Sequence, residues 1–147
     1  MTTESSPIAG RYQLGRFVGG GGMGDVYAGT DILTGETVAI KKLRANMAGD
    51  FSQMVERFIR EGEALRRLNH PNIVKVLSTV NEELQHYLVM EYVPGGSLAD
   101  LLARQPQLPV DQVVSIGLEL SDALSRAHHL NILHRDIKPA NILLAED

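Results

Sequence analysis

The sequence predicts an α+β chain: a five-stranded antiparallel sheet carrying one helix, followed by the start of a mainly helical lobe. Three observations lead there. Up to about Tyr92, apolar residues alternate in short runs, the two-residue period of strands. One segment inside that region, near residues 50–68, switches to helical steps of three and four. Pro94-Gly95-Gly96 then breaks the chain, and the pattern after it turns helical.

Each element has its own local signal. Tyr12 to Val18 reads as a strand entering the glycines at 19–22 and 24, and Val26, Ala28 and Thr30 alternate along a second. Leu33-Thr34-Gly35-Glu36 marks a hairpin turn into a third strand, Thr37 to Leu43. Asp50 and Gln53 have capping-box spacing and open a helix of about eighteen residues, to about Leu68. Its stripe is Met54, Phe58, Glu61, Leu65 and Leu68, with one carboxylate in the middle. Ile73 to Val80 and His86 to Val93 read as two more strands. Beyond the breaker, Ser97 and Asp100 form a second capping box. Pro109 suits the first turn of a longer helix that ends near Asn131. A loop and a short strand, Ile142 to Leu144, close the chain.

Composition excludes several classes. With 147 residues, 44% hydrophobic and 22% charged, the chain reads as a soluble globular protein with one ordinary core. A formal net charge of −4 without a dense basic cluster argues against a nucleic-acid surface. The absence of cysteine removes disulfides, thiolate metal sites and thiol nucleophiles, and is compatible with a cytoplasmic location. Residues 1–11 read as a flexible tail without the apolar run of a signal peptide. No segment approaches the ~18 apolar residues of a membrane span.

Gly19, Gly21 and Gly24 fit G-x-G-x-x-G, followed by Val26. Glycines let backbone N–H groups approach phosphate oxygens without side-chain obstruction, although a glycine-rich hairpin also occurs for purely structural reasons. A P-loop would need Lys and Ser/Thr after Gly24, where Asp25 and Val26 stand. A dinucleotide fold would open a helix at the glycines, whereas strand-like alternation follows. Strand, glycine loop, strand remains.

Val38-Ala39-Ile40-Lys41 puts a lysine on the third strand. It could simply solubilise a strand face. An ionised Glu61 on a buried stripe, however, needs a cation, and Lys41 on a neighbouring strand could supply it. Alternatively, Glu61 lies at the stripe's margin and faces water. His134-Arg135-Asp136-Ile137-Lys138-Pro139-Ala140-Asn141 packs three charged side chains, a proline and an amide into a segment unsuited to a core.

In this order, the glycine loop, Val-Ala-Ile-Lys, the helix glutamate and this last segment resemble the protein kinase family from about Tyr12 onward. Gly-Gly-Met-Gly-Asp-Val-Tyr, Leu-Asn-His-Pro-Asn-Ile-Val and His-Arg-Asp-Ile-Lys-Pro-Ala-Asn look most like bacterial members of the eukaryotic-like serine/threonine type. The resemblance implies a protein-kinase-like fold, with an N-lobe at 12–93 and the beginning of a C-lobe at 94–147. It implies ATP and Mg2+ as cofactors and a protein substrate with a serine or threonine hydroxyl. By the same resemblance, Gly19, Gly20, Gly21, Gly22, Met23 and Gly24 would cover the phosphates. Val18, Val26 and Ala39 would surround adenine, Met90 would be the gatekeeper, and Glu91 and Val93 would offer backbone groups to the adenine edge. Lys41 would hold the α- and β-phosphates and pair with Glu61. Asp136 would accept the substrate hydroxyl proton, Lys138 would neutralise γ-phosphate charge, and Asn141 would ligate magnesium. His134 and His70 would be structural, and Lys138 matches the serine/threonine branch.

The sequence stops at Asp147, before the family's Asp-Phe-Gly motif, which provides a magnesium-binding aspartate. The apolar Ile116–Leu124 helix face would also lack its usual cover. Besides the enzyme, a catalytically weak or inactive kinase fragment that binds nucleotide or a partner fits the same residues. The 147-residue chain alone is expected to show little or no phosphotransfer. Magnesium-dependent label transfer by the purified chain that Asp136→Ala abolishes would contradict this.

Overall fold

In the computed structural model, which describes residues 6–20, 24–43, 51–82, 85–132 and 137–145, five strands form the expected antiparallel sheet. They are β1 (Tyr12–Gly20), β2 (Gly24–Asp31), β3 (Thr37–Leu43), β4 (Val76–Glu82) and β5 (Gln85–Glu91), in spatial order β1-β2-β3-β5-β4. Helix α1 (Phe51–Arg66) leads from β3 to the edge strand β4, and β5 then returns beside β3. Two compact units result: Met1–Arg67 with Lys75–Tyr92, and Leu68–Val74 with Val93–Asp147. Among the described residues, no helix is long and apolar enough to cross a membrane.

The β2–β3 hairpin forms at the expected turn. Gly35 adopts φ +76°, the left-handed region that suits glycine, and its N–H donates to the Asp31 carbonyl at 2.7 Å. The Asp31 carboxylate accepts from Leu33 N–H at 3.0 Å and from Arg11 Nε and Nη2 at 3.1 and 2.8 Å. The segment before β1 is thereby clamped to the hairpin. Ile8, also in the expected tail, is buried and bridges to Tyr12. Residues 8–11 are therefore part of the first unit, because an apolar side chain and a bidentate ion pair anchor them.

Strand alternation divides the core. On one sheet face, Val38, Ile40, Tyr87 and Val89 pack with Ile8, Tyr12 and Val80. On the other, Leu43, Leu88 and Val76 pack with Phe58, with Leu65 and Met90 against them. The axis of contact on α1 runs through Phe58, Gly62 and Leu65. A Cβ on Gly62 would lie 2.5 Å from Leu88 Cδ2 and 3.2 Å from Thr79 Cγ2, so the helix backbone rests directly on β4 and β5. Phe58, Gly62 and Leu65 fall within about 60° of one another around the axis, with Glu61 at the edge of that arc. The expected Asp50–Gln53 cap and the Met54 side chain lie outside what is described. The helix ends at Arg66 rather than near Leu68, and β4 begins at Val76 rather than Ile73. Between them Pro71 enters a turn in which Ile73 N–H donates to the His70 carbonyl at 3.1 Å.

In the second unit, α2 (Leu98–Arg104) starts with the expected box. Asp100 N–H donates to Ser97 Oγ at 3.1 Å, and Ser97 N–H donates to Asp100 Oδ2 at 2.9 Å. Helix α3 (Val110–His129) follows Pro109, and Asn131 just beyond it takes φ +60°. On α3, Ala123 and Ala127 are buried and Ile116, Leu120 and Leu124 are half-buried. Val113, at the N-terminal end of the same stripe, is exposed, as are Val110, Val114 and Leu118 elsewhere around the helix. The expected strand at Ile142–Leu144 is a single antiparallel bridge between Leu143 and Ser97, flanked by hydrogen bonds from Leu98 N–H to the Ile142 carbonyl at 2.7 Å and from Leu144 N–H to the Gly96 carbonyl at 2.8 Å.

Ile40 is fully buried, so Ile40→Ala should cost about 2–5 kcal/mol in denaturant unfolding. Leu33→Ala, at an exposed hairpin position, should stay within about 0.5 kcal/mol of wild type. The Arg11 hydrogen bond, helped by Leu33 N–H, holds the Asp31 carboxyl below its ordinary value against the opposing effect of burial. Its contribution to stability is complete above the unfolded carboxylate pKa of about 4 and is lost as pH falls through the lower folded value. The stability gap between wild type and Asp31→Asn should therefore be widest near neutrality and close below about pH 4. A gap independent of pH would remove the charge from this account.

Candidate functional site

Cross-strand register assembles one sheet face from residues far apart in sequence. Val26 lies opposite Lys41, which lies opposite Leu88, and Ala28 lies opposite Ala39, which lies opposite Met90. Directly opposed residues of antiparallel strands project to the same side. Val26, Ala28, Ala39, Lys41 and Met90 therefore share the face that α1 partly covers through Leu43 and Leu88. All five are half-buried, leaving an apolar surface with one ammonium group upon it.

The β1–β2 hairpin borders this face. Gly19 pairs with Val26 and Gly20 with Asp25, so the ladder continues into the glycine segment. A Cβ on Gly24 would collide with the Lys42 carbonyl, which makes glycine there a requirement of the sheet. A Cβ on Gly19 would meet nothing within 4 Å. The space beside Gly19 is open, and its glycine is compatible with close approach of a ligand such as a phosphate. Val18 is exposed next to it. Gly21, Gly22 and Met23 lie outside the described residues.

At the other end of the face, Glu91 is held by two bonds to Lys75. Its N–H donates to the Lys75 carbonyl at 3.0 Å, and its Oε1 accepts from Lys75 N–H at 2.9 Å. With that N–H engaged, its carbonyl is the backbone group left to consider for a ligand. Val93, in the second unit, is half-buried.

Glu61 differs from the expected buried partner of Lys41. Its side chain is 52% exposed and its Oε1 accepts from Arg57 Nε at 2.9 Å, one helical turn away. The Lys41–Glu61 ion pair is not formed. The reason is rotational: the helix contacts the sheet through Gly62, which turns Glu61 to the margin of the stripe. An exposed i,i+4 pair of this kind is worth only about 0.3–0.5 kcal/mol. Arg57 was legible as a competitor only by asking which cation lies four residues before the carboxylate.

In the second unit, Lys138 precedes the Pro139–Asn141 turn, and Asn141 N–H donates to the Lys138 carbonyl at 2.9 Å. One tight turn thus brings Lys138 and Asn141 together, both exposed. Asp136, with His134 and Arg135, lies outside the described residues. Among the described residues, no group of three or more His, Cys, Asp or Glu could hold a metal ion. The Asn141 amide oxygen is nonetheless a hard donor suited to magnesium, which commonly takes one or two protein oxygens and completes its shell with phosphates and water. His70 is structural in its contacts: Nδ1 accepts from Asn72 N–H at 3.0 Å, which leaves Nε2 to donate to Asp122 Oδ2 at 3.0 Å.

Comparison with known proteins gives this arrangement its family. The model of the protein kinase domain matches residues 12–147. The chain is 42% identical to serine/threonine-protein kinase PrkC of Bacillus subtilis, over 93% of this chain and 21% of that protein. It is 40% identical to serine/threonine-protein kinase PknB of Mycobacterium leprae, over 99% of this chain and 24% of that protein. The crystal structure of Rad53 1-466 in complex with AMP-PNP superposes with a TM-score of 0.83 at 31% identity, covering 95% of this chain and 36% of that one. The chain thus spans about a fifth of the length of the curated relatives it matches. It belongs to the protein kinase domain family.

Proposed function

We propose that the protein transfers the γ-phosphoryl group of ATP to serine or threonine hydroxyls of protein substrates, with residues 12–93 as its nucleotide lobe and 94–147 opening the lobe that carries the catalytic loop. The observation that carries this reading is the register that sets Val26, Ala39, Lys41 and Met90 on one face beside the open Gly19. The names of the bacterial relatives and the adenine nucleotide in the Rad53 structure support it.

On this reading the apolar part of the face, with Val18 at its border, takes the adenine ring. Met90 limits its depth, and the Glu91 and Val93 backbone meets its polar edge. The run Gly19–Gly24 covers the phosphates, and Lys41 meets the α- and β-phosphates as a compact positive charge. Asp136 accepts the proton of the substrate hydroxyl as its oxygen bonds to the γ-phosphorus. The bond from that phosphorus to the β-phosphate oxygen breaks, and ADP leaves. Lys138 offsets charge on the moving phosphoryl group. Asn141 would hold Mg2+, which supplies further neutralisation of phosphate charge when bound.

One observation favours a second reading, a nucleotide-binding module without transfer. The lysine–glutamate pair that phosphoryl transfer requires in kinases is replaced here by Arg57–Glu61. The two readings differ in what a single substitution does to the complete protein. In an enzyme, Asp136→Ala should lower transfer by about 10²–10⁴-fold, the usual contribution of a positioned base, while ATP still raises the melting temperature. A loss of less than tenfold would remove Asp136 from the base role. ATP stabilisation that persists without magnesium, together with no transfer by the unaltered protein, would establish the binding module instead.

A further inference from the structure

Strand β1 carries an irregularity that the proposed chemistry does not use. Leu14 pairs with Gly29 and Phe17 with Tyr27, so Gly15 and Arg16 together oppose the single residue Ala28. Two residues against one is a β-bulge, a device that re-aims a side chain out of the ladder. Gly15 makes it possible, because a Cβ there would lie 2.5 Å from the Ala28 carbonyl oxygen. The re-aimed side chain is Arg16, whose Nη2 donates to Tyr92 Oη at 2.9 Å. Tyr92 directly follows β5, between Glu91 and Val93. Strands β2 and β3 separate β1 from β5, so the bond spans two intervening strands, roughly 14 Å between strand axes in a flat sheet. Arg16 stands level with Ala28, Ala39 and Met90, and the bond ends at Tyr92, two residues beyond Met90 and past the end of β5.

We propose that Arg16 and Tyr92 are positioning residues: their bond straps the strand that carries the glycine hairpin to the segment that follows β5, and so sets the affinity of the first unit for ATP. This rests on the nucleotide reading above. An exposed hydrogen bond adds little to global stability, so its consequence falls on geometry. Movement of β1 away from the sheet face would carry Val18 and Gly19 with it, and the strap opposes that movement. With the strap broken, β1 samples more positions from which Val18 and Gly19 do not meet the nucleotide, and the nucleotide dissociates faster.

The test is a double-mutant cycle in the complete protein, using Arg16→Ala, Tyr92→Phe and their combination. Calorimetric titration with magnesium-ATP would be read beside KM for ATP, kcat and melting temperature. Each single change should weaken ATP binding and raise its KM about two- to tenfold, the range for one net hydrogen bond, with kcat and melting temperature nearly unchanged. The double variant should be no worse than the weaker single, and Arg16→Lys, which keeps a donor, should recover part of the affinity. Additive losses would mean that Arg16 acts on the nucleotide's charge directly, and would overturn the strap. Unchanged ATP affinity in both single variants would also overturn it while leaving the kinase reading intact. Failure of the unaltered protein to bind magnesium-ATP would overturn both.

Discussion

Ile40 and Val89 oppose one another across β3 and β5 with no exposed surface, and this pair determines which way their neighbours face. Because side chains alternate along a strand, burying Ile40 sends Ala39 and Lys41 to the opposite face. A register slip of one residue would exchange the two sets, placing the lysine in the core and an isoleucine on the open surface. The cost of burying an unpaired ammonium group makes that alternative prohibitive. The candidate nucleotide face therefore follows from the core: Val26, Ala39, Lys41 and Met90 come together because Val38, Ile40 and Val89 need to be hidden.

The other side of this constraint is the docking of α1. Gly62 brings helix backbone against Leu88 and Thr79, and Phe58 and Leu65 fill the flanks. That close seat fixes the rotation of the helix and leaves Glu61 at the margin of the sheet contact, where it pairs with Arg57 one turn earlier on the same helix. The pairing is exposed and weak, so the carboxylate can change partners for little free energy without disturbing Phe58 or Gly62. A strongly held core and a loosely held charge on the same helix are compatible because Glu61 stands at the margin of the contact face and not within it. The same separation applies to β1, which pairs with β2 at Leu14 and Phe17 while the Gly15–Arg16 bulge between them redirects one side chain.

The clamp of Arg11 on Asp31 shows how the edge of the sheet is finished. Strand β1 is an edge, and edges require devices that restrain or protect them. Here the preceding residues fold back through Ile8, and a bidentate guanidinium–carboxylate pair joins them to the β2–β3 turn. A planar fork with two hydrogen bonds fixes orientation as well as proximity, which a lysine in the same place would not do.

What the sequence determined by itself was whatever depends on neighbours within a few residues. The alternation of Thr37–Leu43, the left-handed Gly35 turn, the Ser97–Asp100 box and the helix beginning after Pro109 are local agreements between side chain and backbone. The order of the glycines, Val-Ala-Ile-Lys, the helix glutamate and the segment His134–Asn141 was likewise readable, and it pointed to the family. The tertiary structure alone decided which partner Glu61 takes, that Ile8 and Arg11 join the core unit, and that Leu143 makes only one bridge. It alone joined Arg16 to Tyr92 across 76 positions of chain. The stripe Phe58, Glu61, Leu65 has correct helical spacing, yet spacing leaves the rotation of the helix undefined by the width of one side chain. Packing of Gly62 against Leu88 removed that freedom, because close contact between two surfaces is specified by both of them and by neither sequence segment alone.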